Sequence, residues 1–234
     1  MRVLSVILVA SLTGTAWAGG ITVQHVQGEV SVRHGVNEEW MPVTPGSALK
    51  PDDSMRTGTK GAAVLIVAAP DASAPPKRVT LPPEVIVDLA DVRELSQEEL
   101  MLKLTMEKVR ASSYQWKDDD LRIPNAGVVH GNDRESEPAH TTGRVETGKM
   151  QLNGTRVLFE NGYTSTGILK ALEVFRLYPP LAASFENRMM VAEAMERANL
   201  RGEALNEYVA LMSLEGLTLE QKGVLQSRIA QLRR

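Results

Sequence analysis

The sequence predicts an α+β chain of two domains, an N-terminal all-β domain followed by a C-terminal all-α one, and three observations carry that reading. Apolar residues alternate with period two between Gly20 and Leu89, and they recur at helical spacing from Gln97 onward. Between the two helical stretches lies a segment rich in charge, Gly, Pro and Thr and poor in bulky apolar residues. At 234 residues the chain is long enough for two modest cores.

The chain opens with Met1-Arg2, an apolar run from Val3 to Leu12, and Ala16-Trp17-Ala18 before Gly19. A positive start, a short apolar core and a small-x-small site are the marks of a secretory signal peptide. A retained anchor is the alternative, but the run is well short of the ~20 residues that span a bilayer. Residues 1–18 are therefore expected to be removed and the rest to work in the periplasm or beyond, with no stable membrane insertion. Lys and Arg number 26 against 29 Asp and Glu, a net charge of −3, which disfavours nucleic acid or an anionic membrane as partner. With no cysteine, the chain has neither disulfides nor a site for a bacterial lipid anchor, and folds on its cores alone.

The β domain is expected over 20–90. Ile21, Val23 and His25 alternate with Thr22, Gln24 and Val26, and Val30 and Val32 follow Gly28. The seven-residue run Ala62 to Ala68 is β-branched at its centre and suits a buried strand. Pro45-Gly46 and Pro51-Asp52-Asp53 are turn chemistry, and Pro82-Pro83, which cannot donate to a ladder, separates strands at 78–81 and 84–89. Trp40 reads as the cap of a core edge, and Arg56 as a donor that steadies the turn at Thr57-Gly58.

The order Gly28-Glu29-Val30, Trp40-Met41-Pro42-Val43, Gly46-Ser47-Ala48-Leu49, Asp52 to Gly58, and Gly61 leading into Ala63-Val64-Leu65-Ile66 resembles the FecR-type periplasmic domain of bacterial envelope proteins. One departure is 68–77, rich in Ala, Pro and Ser where the family has a tight Asp-Gly turn. The resemblance implies an envelope role. The family's relay to a sigma factor runs through a cytoplasmic region and a membrane helix, which a chain opening on a signal peptide is not expected to have, so that relay is not carried over.

Ser96 and Glu99 form a capping-box pattern, and Leu100, Met101, Leu104 and Val109 an apolar face, so the 91–116 segment should hold a helix over 97–112. It is expected to cover an edge or face of the β domain, with a partner-binding helix as the alternative. Residues 117–149 read as a polar, flexible linker. Its His130 and His140 have no third ligand at a recognised spacing and are not read as a metal site.

The helical domain is expected over 150–234. Lys170 to Phe175 recurs as Glu203 to Tyr208, so that Ala171 and Phe175 map onto Ala204 and Tyr208 thirty-three residues on. With Ala192 and Met195 as inward positions of the next helix, the stretch resembles tetratricopeptide repeats, although Phe159 stands where a small residue is usual and Leu217 where proline is common. Five helices follow, over 150–160, 166–178, 182–199, 203–214 and 219–232, the last with its own capping box at Thr218 and Gln221. A general helical-hairpin bundle is the alternative. If the resemblance holds, Glu186, Met189, Glu193, Glu196 and Arg197 would line a concave, partner-binding surface; a solvated face explains the same charges.

No G-x-S-x-G elbow, P-loop, H-E-x-x-H or EF-hand pattern occurs, and His25 and His34 have no assignable Ser or Asp constellation. The expectation is a non-enzymatic protein without cofactor, metal or catalytic residues, acting as an interaction or assembly module on protein partners in the cell envelope. An envelope sensor that relays a signal to a membrane partner is the alternative, and an unrecognised enzyme a distant third.

Overall fold

The computed structural model describes residues 20–35, 39–69, 73–115 and 138–233, with the backbone alone for 113–115 and 138–143. The expected signal peptide, His130, the side chain of His140 and linker residues 117–137 lie outside them.

Eight strands form first: β1 (Ile21–Gln27), β2 (Val30–His34), β3 (Met41–Pro42), β4 (Ala48–Leu49), β5 (Asp53–Thr57), β6 (Ala62–Val67), β7 (Lys77–Leu81) and β8 (Ile86–Asp88). They make two four-stranded antiparallel sheets, β4-β1-β6-β7 and β3-β2-β5-β8. Val23, Leu65, Val79 and Leu81 of the first sheet and Val32, Met55 and Val87 of the second meet in one core. The expected strands at 62–68, 78–81 and 84–89 are β6, β7 and β8, and Pro82-Pro83 lies where the chain passes from one sheet to the other. Buried Thr57 holds that crossing, donating to Pro82 O at 2.7 Å and accepting from Val85 N at 3.0 Å. The alternation expected for β1 breaks: the register against β6 shifts between Val23 and His25, so His25 is exposed and Val26 half-buried. A bulge inserts one residue and exchanges the faces beyond it.

The helices are α1 (Gln97–Gln115), α2 (Pro138–Glu160), α3 (Thr164–Leu177), α4 (Pro179–Ala182), α5 (Phe185–Arg197), α6 (Arg201–Leu211) and α7 (Leu219–Leu232). Helix α2 begins inside the stretch read as linker, twelve residues ahead of the expected 150. The helix expected over 182–199 is instead the single turn α4 and then α5, because Ser184 breaks the run and N-caps α5, its hydroxyl accepting from Asn187 N. The capping box of α7 is complete in both directions. At α1 only Ser96 Oγ, accepting from Glu99 N at 3.2 Å, takes the expected part, while Glu99 pairs with Arg93 at 2.6 Å.

Two expectations for α1 are corrected. It packs on the helical part, Leu100 and Leu104 joining Ile168 and Ala171 in the second core, because its buried Glu107 meets Arg176 of α3 at 2.5 Å. Met101 and Val109, expected inward, are 41% and 59% exposed. The repeat positions do go inward: Ala171, Ala204, Ala192 and Tyr208 are completely buried. Phe159 lies against Gly167, where a Cβ would come within 2.5 Å of the Phe159 ring. The large ring is matched by a missing side chain on the facing helix.

The β and helical parts share an interface. Val157, Leu158 and Tyr163 belong to the core of the sandwich. Asn153 Nδ2 donates to Glu84 O at 3.0 Å, Glu94 accepts from Ser165, Thr166 Oγ1 donates to Arg93 O at 2.9 Å, and Lys77 Nζ donates to Asn161 O. No helix among the described residues is long and apolar enough to cross a membrane.

Candidate functional site

A cleft of about 610 Å³ opens between the second half of α1 and α3 to α6. Its floor is apolar, Leu172 and Phe175 of α3 and Ala182 of α4, with the exposed Ala111 of α1 and Pro179 of α4 at the rim. Leu172 and Phe175 follow Ala171 on a helix whose other side fills the second core, and both are half-buried. The walls are paired charges, Glu107 with Arg176 at 2.5 Å, Arg188 with Glu207 at 2.6 Å and Lys108 with Glu203 at 3.4 Å. Of these only Lys108 is mostly exposed. Paired half-buried side chains form stiff walls, and the apolar floor accepts an apolar side chain. Among the described residues no Ser, Cys or His lines the cleft.

Across Glu107 a second, polar cavity of about 260 Å³ is lined by Asp91, Lys103, Arg110, Lys170 and Glu173, with Met106 and Leu169. Here the two parts of the chain meet electrostatically. Lys170 Nζ of α3 lies 2.6 Å from Asp88 of β8 and 2.9 Å from Glu173, and Ser54 Oγ donates to the other oxygen of Asp88 at 2.5 Å. Burial pushes Asp88 up, but the Lys170 ammonium and these hydrogen bonds more than reverse it, so its carboxyl sits below the usual value. Burial likewise works against the charge on Lys170, yet Asp88 and Glu173 hold it above an ordinary lysine. Asp91 has no such direct bond, and burial, reinforced by Asp88 and Glu173, raises it to about 6.

A carboxyl raised in the folded state keeps its proton there longer than in the unfolded chain, so the stability it contributes falls as pH rises from about 3.8 through about 6. Replacing Asp91 by Asn removes this. Asp91→Asn should raise the unfolding free energy by roughly 2 kcal/mol near pH 7 and leave it unchanged near pH 3.5. Denaturant melts at the two values check it; a variant less stable near pH 7 would refute the buried-charge account.

The residues expected on a concave surface are not gathered at the cleft. Glu186 accepts from Ser184 at the start of α5, and Met189 packs against the second core. Glu193 and Glu196 face Arg228 of α7 at 3.6 and 3.5 Å, and Glu196 also accepts from the Tyr208 hydroxyl at 3.0 Å. Burial and that acceptor push the Tyr208 phenol up. Arg197 stacks over Phe159, 5.8 Å from the ring centre. The stripe thus binds α7 and neighbouring helices. Phe175 was legible as a repeat aromatic, but not as the cleft floor, because the wall opposite comes from α1, more than sixty residues away in sequence.

His34 Nδ1 lies 2.8 Å from the buried Asp53 carboxylate, which also accepts from Lys50 N at 2.8 Å, a strand-end contact far from the cleft. Among the described residues no three His, Asp or Glu side chains are placed to hold a metal ion. In comparison with known proteins, no family model and no curated protein matches this chain.

Proposed function

We propose that the chain is a non-enzymatic interaction or assembly module of the bacterial envelope, in which a FecR-like β domain carries a short tetratricopeptide-like helical domain that grips a peptide segment of a partner protein. The observation that supports this most is the cleft: an apolar floor of Leu172 and Phe175 inside stiff walls of paired charge is the form of a groove for one or two apolar anchors of a peptide. The order of strands and turns, and the buried alanines thirty-three residues apart, support the two family likenesses. This reading puts the binding surface at the cleft; Glu193 and Glu196 lie outside its lining and face Arg228 at 3.6 and 3.5 Å.

The test places a photoreactive residue at Ala111, on the cleft rim, in the source organism. A defined adduct is expected, reduced about tenfold or more by Phe175→Glu, which puts a charge on the apolar floor. An adduct pattern unchanged by Phe175→Glu, with the variant still folded, would sink the reading. The alternative, an envelope sensor that relays a state to a membrane partner, is favoured by one observation: Lys170 ties the helical part to β8 through charge. It predicts that Lys170→Met alters signalling while leaving the adduct intact.

A further inference from the structure

The outer face of the second sheet carries a feature outside the cleft. Antiparallel pairing sets Ser31 of β2 opposite Arg56 of β5, and Arg33 opposite Ser54, so both arginines leave the same face of neighbouring strands. They converge on one indole: the guanidinium carbons of Arg33 and Arg56 lie 5.1 and 4.8 Å from the centre of the Trp40 ring. The structure corrects the expected roles of both residues, for Arg56 is a mid-strand residue rather than a turn donor, and Trp40 lies on the arginines rather than at a core edge.

We propose that Arg33, Trp40 and Arg56 form a recognition site for an acidic peptide segment of a partner protein. Neither guanidinium has a carboxylate partner among the described residues, and Arg56 makes no hydrogen bond there. Asp88, whose charge Arg33 senses, is held by Lys170 and Ser54. Two half-buried positive charges on one ring repel each other, and the ring's negative face offsets only part of that. The stack restrains the guanidinium planes, so their edges can present forked N–H donors, the geometry that a carboxylate matches. Beneath them the Ser31 hydroxyl and Arg33 Nε are buried without a hydrogen-bond partner. On the open side Pro42, paired with Ser31 and so on the arginine face, adds an apolar border, while Met41, paired with Val32, belongs to the opposite face.

Trp and Arg together are the composition of interface hot spots, and the indole with Pro42 beside it favours a peptide with a hydrophobic residue among its acids over a bare oxyanion. Pro42 lacks an N–H on the edge strand β3, which weighs against strand addition and leaves side-chain charge as the means of recognition.

The experiment uses the full chain with Trp17→Phe and Trp116→Phe, so that Trp40 is its sole indole. It is titrated with the capped hexapeptide AELDEA, its amide analogue AQLNQA, and inorganic phosphate, while Trp40 emission is followed. The acidic peptide should give a saturable change below about 1 mM, weakened about tenfold or more in the analogue, at high salt, and in Arg33→Gln/Arg56→Gln. Arg56→Lys, which keeps the charge but loses the planar fork, should weaken it less than the double variant and still measurably. Phe175→Glu should leave the titration unchanged, which separates this site from the cleft. Equal responses to the two peptides, or no saturation, would overturn the proposal. So would phosphate matching the peptide, which would reassign the site to a phosphate ligand, or sedimentation showing that a second copy of the chain occupies it. Thermal melts establish that each variant folds; should the double variant not fold, Arg56→Lys and the salt dependence decide.

Discussion

Gly154→Leu is expected to destabilise the protein by roughly 3 to 5 kcal/mol, at the top of the range for overpacking. A Cβ at Gly154 would stand 2.0 Å from Ile86 O and 3.1 Å from Val87 Cγ2, so the clash is with the backbone of β8, which has no rotamer to yield. Glycine in mid-helix costs α2 about 1 kcal/mol relative to alanine, and the close approach to the sheet compensates for it. The neighbours depend on that approach. Asn153 reaches Glu84 O, and Val157 and Leu158 enter the sandwich core only while α2 lies flat on β8. The midpoint of thermal unfolding should fall by about 10 °C. Limited proteolysis should find new cuts near Glu84, whose positive φ of 57° is kept in a turn braced by that hydrogen bond. A variant that melts like the parent would show that helix and sheet are not in register contact.

The second large effect is expected at Lys170. Its side chain is 11% exposed, and Asp88, Asp91 and Glu173 surround it. Removing one partner of a buried pair leaves uncompensated charge, here three facing carboxylates, so Lys170→Met should cost about 3 kcal/mol near neutral pH. Lys170 itself titrates above the ordinary lysine value, so its stabilisation is fully present throughout the acid and neutral range. The pH dependence comes from the acids. In the parent, Asp88 contributes stability that is present above about 3.8 and lost as pH falls through its lowered value. Without Lys170 that contribution disappears and the acids hold their protons to higher pH. The deficit of the variant should therefore shrink as pH falls toward about 4, where protonation relieves the repulsion. Unfolding free energies across that window check it. A deficit independent of pH would mean that lost packing, not charge, accounts for the change.

Local chemistry was largely readable in advance. β6 and β7 follow from β-branched runs bounded by Gly and Pro, α7 from a complete capping box, and the inward alanines of α3 and α6 from a recurrence thirty-three residues long. Each rests on neighbours within a few residues or on a repeated pattern. The misreadings lie where a distant partner overrides the local signal. The bulge in β1 is set by pairing with β6, and it sends His25 outward. The orientation of α1 is chosen by Arg176, sixty-nine residues away, which draws Glu107 onto α3 and leaves Met101 and Val109 in solvent. Glu193 and Glu196 have the spacing of a charged stripe, and the fold adds what the spacing does not record, Arg228 of the last helix at 3.6 and 3.5 Å.

The two kinds of region, the identity of most strands and helices and the small residues that let helices approach were determined by the sequence itself, because period, capping and turn chemistry act over one to four bonded neighbours. Tertiary structure alone decided that β and helical parts share a core through Val157, Leu158 and Tyr163, that Lys170 is counterbalanced across the junction, and that Phe175 floors a cleft while its repeat mate Tyr208 is sealed. Those outcomes depend on which surfaces meet after the chain has closed on itself. A side chain's role there is set by what faces it, and no periodicity along the chain records that.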